Sequence, residues 1–248
     1  MSPITADSTL SGVRAIYDRA YADRYEELYI QPWQAKHEMN RRLLDMLMPR
    51  STRPDRRWLD LCCGQAWHFS CYPEVGWRLG VDLSPAQLQI ARLRNPQAQF
   101  LCANVLEVTL PQVSYDLVTC FWGAYCYLDD NQLIATLLQR MLAWTAPGGA
   151  LYLELLTPDV LASFNASEFA QRTGFRVEPR SGDYTRWSYS DAGGHHLMTS
   201  PTREWFLEQL TGHFRDVRLH EDGGFMSHLV ATGHCKSRAD SSMLTASA

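Results

Sequence analysis

Apolar positions along the chain follow two rhythms. Short apolar-rich runs at 58–61, 78–83, 99–103, 115–121 and 150–155 read as buried strands, and between them apolar residues recur three and four apart, as on amphipathic helices. That alternation predicts βαβ units and a parallel sheet, a doubly wound α/β fold. Two helical patterns come first, Gly12 to Tyr29 and Gln34 to Met48. The second carries an apolar stripe of Met39, Leu43, Leu44, Met46 and Leu47, so residues 1–50 are expected to form a helical cover. Helix punctuation agrees. Ser84-Pro85-Ala86-Gln87 offers an N-cap serine, a proline at the first helical position and a glutamine able to complete a capping box. Asp130 or Asn131 caps a helix through Leu133, Leu137, Leu138, Met141 and Leu142, which stops at Pro147-Gly148-Gly149 before the fifth strand.

The rhythm fails over residues 157–200. Within that stretch Tyr184 to Tyr189 and His195 to Met198 flank Asp191-Ala192-Gly193-Gly194, a hairpin signature, and the segment is expected to be a lid-like insertion. A helix opens at Ser200-Pro201-Thr202-Arg203 and runs to about His213. Two strands follow, Asp216 to His220 and His228 to Thr232, expected to pair as an antiparallel edge. Residues 1–235 thus read as one domain, and the small polar residues 236–248 as a flexible tail.

Composition narrows the partners. With 46% hydrophobic and 20% charged residues the chain is that of a packed globular protein, and 248 residues suit a single core. A formal net charge of −4 gives no overall attraction to phosphate backbones or acidic membranes, so no nucleic acid and no membrane partner is expected. The seven cysteines form no CxxC pair, and no N-terminal stretch resembles a signal peptide; a reducing cytoplasm is the expected compartment. No metal is expected: Asp129-Asp130-Asn131 sits at a helix start, where capping is the simpler role.

In open α/β sheets ligands gather at the carboxyl ends of the strands. Here those ends carry Asp60-Leu61-Cys62-Cys63-Gly64-Gln65-Ala66 and Val81-Asp82. Small residues at 62, 64 and 66 let the backbone approach a ligand, and Asp82 stands where a carboxylate takes both hydroxyls of a ribose. An adenosine-containing cofactor follows. A dinucleotide would bring its pyrophosphate against Asp60, a repulsion of about 1 to 4 kcal/mol at close range, whereas the ammonium and sulfonium of S-adenosylmethionine would be attracted. The pattern G-x-G-x-x-G is also absent.

From these residues outward, roughly 40 to 235, the sequence resembles the class I S-adenosylmethionine-dependent methyltransferases, in their small-molecule, secondary-metabolite branch. Trp58 to Ala66 resembles the first motif, with Gly64 kept and with Cys62 and Ala66 in place of glycines; Gly80-Val81-Asp82-Leu83-Ser84 resembles the second. Tyr115 to Trp122 and Ala146-Pro147-Gly148-Gly149 fall in the family's order. The resemblance implies a Rossmann-like sheet of seven strands, mostly parallel with an antiparallel edge strand. It also implies S-adenosyl-L-methionine as cofactor, released as S-adenosyl-L-homocysteine. Asp60 would attract its amino-acid end, Asp82 hold the ribose and Leu83 lie against the adenine, with Asn104 where the family has an aspartate reading the adenine amino group; Cys62, Gly64, Val105 and Phe121 complete the expected cofactor contacts.

At the acceptor end, aromatic residues gather: Tyr17, Tyr21, Tyr25, Tyr29 and Trp33 in the cover, Trp122, Tyr125 and Tyr127 after the fourth strand, Trp187 and Tyr189 in the insertion. Tyr21, Trp33, Trp122, Tyr125 and Trp187 are the expected substrate contacts, for a small and planar heteroaromatic acceptor methylated on nitrogen or oxygen. In-line transfer from a sulfonium gains most from positioning, and a general base adds to it where the acceptor starts protonated. His195 and His196, of which a strand turns only one inward, and Tyr125 are the expected catalytic groups; His37, His68 and Glu154 are further candidates. A cofactor-binding module without catalysis and a nucleic-acid methyltransferase are the alternatives. Oligomeric state is not legible.

Overall fold

A computed structural model of the chain describes residues 19–235 other than 32, 129, 174, 192 and 193. Helix α1 (Arg19–Tyr25) continues into a π-helical turn, Glu26–Ile30, and α2 (Gln34–Leu47) completes the described cover. The sheet is then laid down by β1 (Arg57–Leu61), α3 (Trp67–Cys71), β2 (Trp77–Asp82), α4 (Pro85–Arg94), β3 (Gln99–Cys102), β4 (Tyr115–Cys120), α5 (Asn131–Trp144) and β5 (Thr145–Leu155). The insertion holds α6 (Pro158–Phe164), α7 (Glu168–Thr173), β6 (Arg176–Pro179), β7 (Arg186–Asp191) and β8 (Gly194–Thr199). Helix α8 (Arg203–Leu210), β9 (Phe214–Glu221) and β10 (Ser227–His234) close the fold.

Seven strands stand in the order β3-β2-β1-β4-β5-β10-β9. Pairing is parallel from β3 to β5, and β10 runs antiparallel to both β5 and β9. The reversed strand therefore lies one place in from the edge, which is β9. The insertion builds its own antiparallel sheet, β6-β7-β8, in which the expected hairpin pairs as far as Asp191↔Gly194 and gains β6 as a third strand. The polar tail, 236–248, lies outside the described residues.

Side-chain alternation divides the core into two layers. Leu59 and Leu61 of β1, Val118 and Cys120 of β4, and Leu151, Leu153 and Leu155 of β5 pack with Ile134, Leu138 and Met141 of α5. On the opposite face Trp58, Leu117 and Tyr152 meet Leu43 and Leu44 of α2, Phe69 of α3 and Leu88 of α4. Asp60, Thr119 and Glu154 fall on this second face by the same period of two. All three are buried, so the sheet turns a row of polar groups toward the helical cover.

Two local expectations are corrected. Pro147-Gly148-Gly149 is no turn but a bulge inside β5: the register slips between Tyr115↔Thr145 and Leu117↔Ala150, and Gly148 takes φ 73° to absorb the extra residues. Ser84 does cap α4, accepting from Gln87 N at 3.2 Å, but the reciprocal half of the capping box is missing. The Ser84 backbone N–H donates instead to Asp82 Oδ1 at 2.8 Å, which releases the Gln87 side chain for another use.

Candidate active site

The eight residues expected around the cofactor converge. Asp60, Cys62, Gly64, Asp82, Leu83, Asn104, Val105 and Phe121 all line one cleft at the carboxyl ends of β1, β2, β3 and β4, roofed by Tyr25 and Ile30 of the cover. Cys62, Gly64 and Ala66 stand in the left-handed region at φ 53°, 50° and 50°, so the loop keeps the coil of a glycine-rich turn with two side chains that disfavour it. Asp82 ties this loop to the second strand: its Oδ2 accepts from Gly64 N at 2.8 Å while Oδ1 holds Ser84 N. Each carboxylate oxygen keeps a lone pair for a further donor such as a ribose hydroxyl. Close packing of β2 against the loop depends on Gly80, where a Cβ would meet Cys63 Sγ at 2.7 Å and the Phe100 ring at 2.8 Å.

Asp60 is 2% exposed. Burial pushes its carboxyl up to about 8; the hydrogen bond from Thr119 Oγ1 at 2.6 Å works the other way, and the nearby Asp82 and Glu154 add to the rise. A cation arriving beside Asp60 would favour the ionised form. Asn104 lines the same cleft, with Oδ1 accepting from Leu106 N at 3.0 Å and Nδ2 donating to Glu107 Oε1 at 2.9 Å. Sequence reasoning missed Gln87 and named His68 only as a candidate base. Both line the cleft, and both side-chain polar atoms of Gln87 and Nε2 of His68 are buried there without a hydrogen-bond partner among the described residues. Atoms so placed await a polar ligand.

A second, aromatic chamber adjoins the cleft. It is lined by Tyr29, Phe164, Phe175, Trp187, Tyr189, Phe225 and aliphatic neighbours, and it shares Tyr25, Trp122 and Tyr127 with the cleft. Trp122 and Trp187, two of the expected substrate contacts, line this chamber. Trp33 does not: it packs on Phe225 with ring centroids 4.8 Å apart and lines neither chamber. Tyr17 and the side chain of Tyr21 lie outside the described residues.

The catalytic expectations divide. Tyr125 lines the cleft, but its hydroxyl donates to Leu156 O and accepts from Leu156 N, both at 3.1 Å, and burial pushes it well up, so it is a structural strut and no base. His195 is exposed and bonds Ser190 Oγ at 3.0 Å, away from both chambers. His196 turns inward, as strand alternation requires. It stacks on Tyr189 at 4.2 Å and lies 3.1 Å through Nδ1 from the Tyr127 hydroxyl, which is also 2.9 Å from that of Tyr189. Glu154 is wholly buried beside Lys36, whose Nζ is 2.7 Å from Oε1. Burial would raise its carboxyl, but Lys36, His228 and His68 together bring it down to about 2. His68 is held well below its ordinary value by burial and by Lys36, and His37 is lowered for the same two reasons. Asp130 caps α5, accepting from Leu133 N at 2.9 Å; Asp129 lies outside the described residues.

Residues 59–149 match the family described as a methyltransferase domain. A dTDP-3-amino-3,6-dideoxy-alpha-D-glucopyranose N,N-dimethyltransferase of Streptomyces fradiae is 27% identical over 195 residues, 74% of each chain. Trans-aconitate 2-methyltransferase of Methylobacterium radiotolerans is 33% identical over 129 residues, 50% of this chain and 46% of that protein. Among solved structures, S-adenosylmethionine-bound CalS10, an amino pentose methyltransferase from Micromonospora echinaspora, shares the fold with a TM-score of 0.62 at 24% identity, over 84% of this chain and 96% of that one. The matched domain, the methyltransferase relatives and this strand order together support reading the chain as an S-adenosylmethionine-dependent methyltransferase.

Proposed function

We propose that this enzyme transfers the methyl group of S-adenosylmethionine, in line, to a nitrogen or oxygen of a small, flat heteroaromatic molecule held in the aromatic chamber. The observation that carries this reading is the junction: Tyr25, Trp122 and Tyr127 belong to both chambers, so ligands in the two would meet there. The cofactor fits the donor set of the cleft. Its ammonium suits Asp60, its ribose suits Asp82, and the partnerless atoms of Gln87 and His68 offer further hydrogen bonds. Bound there, the cofactor supplies a methyl group on a sulfonium, an excellent leaving group.

The protein's own part is positioning and proton removal. Positioning of this kind contributes about 7 to 11 kcal/mol in favourable cases. A flat acceptor would stack among Trp122, Tyr29 and Phe175. Where the acceptor carries a proton on the attacking atom, Tyr127 is the group able to receive it, passing its own proton to His196 Nδ1 at 3.1 Å. His196 then acts through Tyr127 and not by touching the acceptor.

A nucleotide-linked amino sugar, the acceptor named for the Streptomyces fradiae relative, is the second reading. Charge speaks against it: none of the residues lining the aromatic chamber is charged, so a diphosphate entering it would be desolvated without a cation. A nucleic acid meets the same objection. The seven cysteines are unpaired, in keeping with a reducing cytoplasm, and no helix among the described residues is long and apolar enough to cross a membrane. The test is an assay with radiolabelled S-adenosylmethionine against hydroxylated and amino-substituted heteroaromatics, a dTDP-amino sugar and an oligonucleotide. Label is expected in the first group. Label only in the sugar or the oligonucleotide would refute the proposal, and tight cofactor binding with no transfer to extracts would point to a binding module.

A further inference from the structure

Trp122 is an improbable residue for its backbone. It stands at φ 60°, in the left-handed region that a bulky side chain avoids, two residues past the end of β4. Such a conformation persists only where its surroundings over-determine it. Two buried charges do so. The Trp122 backbone N–H donates to Glu154 Oε2 at 2.6 Å, and Lys36 Nζ lies 3.8 Å from the centre of the indole ring. Lys36 and Glu154 are 3% and 0% exposed and pair at 2.7 Å.

Three elements converge to make this brace. Lys36 and Asn40 are one helical turn apart on α2 and face the sheet together. Tyr152 and Glu154 share a face of β5, and His228 of β10 stands opposite Glu154. Asn40 closes the cluster, accepting from Lys36 Nζ at 3.1 Å and donating to Glu154 Oε1 at 2.6 Å and to the Tyr152 hydroxyl at 2.7 Å. The Tyr152 hydroxyl in turn meets His228 Nδ1 at 2.7 Å. With both charges hydrogen-bonded, the pair meets the condition under which a buried ion pair is tolerated, although such pairs add little stability beyond an apolar replacement. Its value lies elsewhere.

From this arrangement, which rests on the aromatic chamber being the acceptor site, we infer that Lys36 and Glu154 are positioning residues that fix Trp122 as the wall between the two chambers and select against positively charged acceptors. The carboxylate sets the backbone. The ammonium occupies the π-density of the indole, so a flat cation stacking on Trp122 finds a ring already polarised and a like charge behind it. A neutral flat molecule suffers neither cost.

The test uses two planar probes of one shape, quinoline and N-methylquinolinium, titrated at pH 8 into the full-length protein saturated with S-adenosylhomocysteine. The wild type should prefer quinoline. In Lys36→Met the affinity ratio should move toward the cation by about threefold to thirtyfold, the range of a single cation–π contact. The double variant Lys36→Met/Glu154→Leu leaves no orphaned charge and covers the case in which the single variant does not fold. It should show the same change of ratio together with weaker binding of both probes, because the wall is no longer held. Equal loss of both probes, with the ratio unchanged in every folded variant, would mean a merely structural pair and overturn the inference. No quinoline binding by the wild type, or binding indifferent to Trp122→Phe, would instead overturn the reading of the chamber itself, and this inference with it.

Discussion

The two chambers of this enzyme are built from opposite materials. The cofactor cleft takes much of its lining from short segments at the ends of successive strands, within 60–65, 82–83 and 103–105, each carrying its contacts on a few covalent neighbours. The aromatic chamber collects single residues from the cover, the turn after β4, the insertion and the segment before β10. The cleft sets carboxylates and amides among apolar neighbours and is held by hydrogen bonds to a loop; the other chamber is greasy and held by packing. In this chain the cleft is thus assembled largely by local rules and the aromatic chamber by long-range packing.

That contrast predicts separable losses. The largest is expected at the junction: Tyr127→Phe should lower kcat by about a hundredfold or more for an acceptor that starts protonated, the scale of a general base, and leave S-adenosylhomocysteine affinity alone. Steady-state kinetics beside calorimetry checks this, with His195→Ala as the silent companion. Next is Asp60→Asn, expected to weaken S-adenosylhomocysteine by between about tenfold and a hundredfold while quinoline binding in the other chamber survives. A drop in both would erase the distinction between the chambers.

Asp60 also gives the cleft a pH signature. Its carboxyl sits at about 8 without a cation beside it and must fall when an ammonium arrives, so cofactor binding below that value releases a proton. Affinity should climb with pH by up to about tenfold per unit and level off above about 8, and the slope should vanish in Asp60→Asn. Calorimetry in two buffers of different ionisation enthalpy reads the proton directly. Trp122→Ala should then cost about tenfold in turnover with S-adenosylhomocysteine affinity within about threefold, because the wall serves alignment more than cofactor grip. The smallest effect concerns the loop: Cys62→Gly relieves a left-handed side chain, a gain of about 1 kcal/mol after the glycine's own entropy, visible as a rise of a few degrees in Tm.

The same contrast explains what could be read from the chain. The strands and the residues at their carboxyl ends were legible because each rests on local periodicity or on a motif within one loop. Gln87 was misread because Ser84-Pro85-Ala86-Gln87 satisfies a capping rule on its own; only the fold reveals that Asp82 takes the Ser84 N–H and leaves the amide facing the cleft. Lys36 and Asn40 carried a faint signal, polar residues in register with Leu43 and Leu44 on the buried face of α2. Their partner Glu154 lies more than a hundred positions away, and nothing local links them. Tyr125 and His195 were attractive as residue types, yet a hydroxyl tied to Leu156 and an imidazole turned outward depend on packing that no motif records.

The most direct test is a crystal structure with S-adenosylhomocysteine soaked into the protein. The amino nitrogen of its tail should lie within hydrogen-bond reach of Asp60 and both ribose hydroxyls within reach of Asp82, with the sulfur pointing past Trp122 into the aromatic chamber. A ligand bound elsewhere, or one whose sulfur faces away from that opening, would contradict the account.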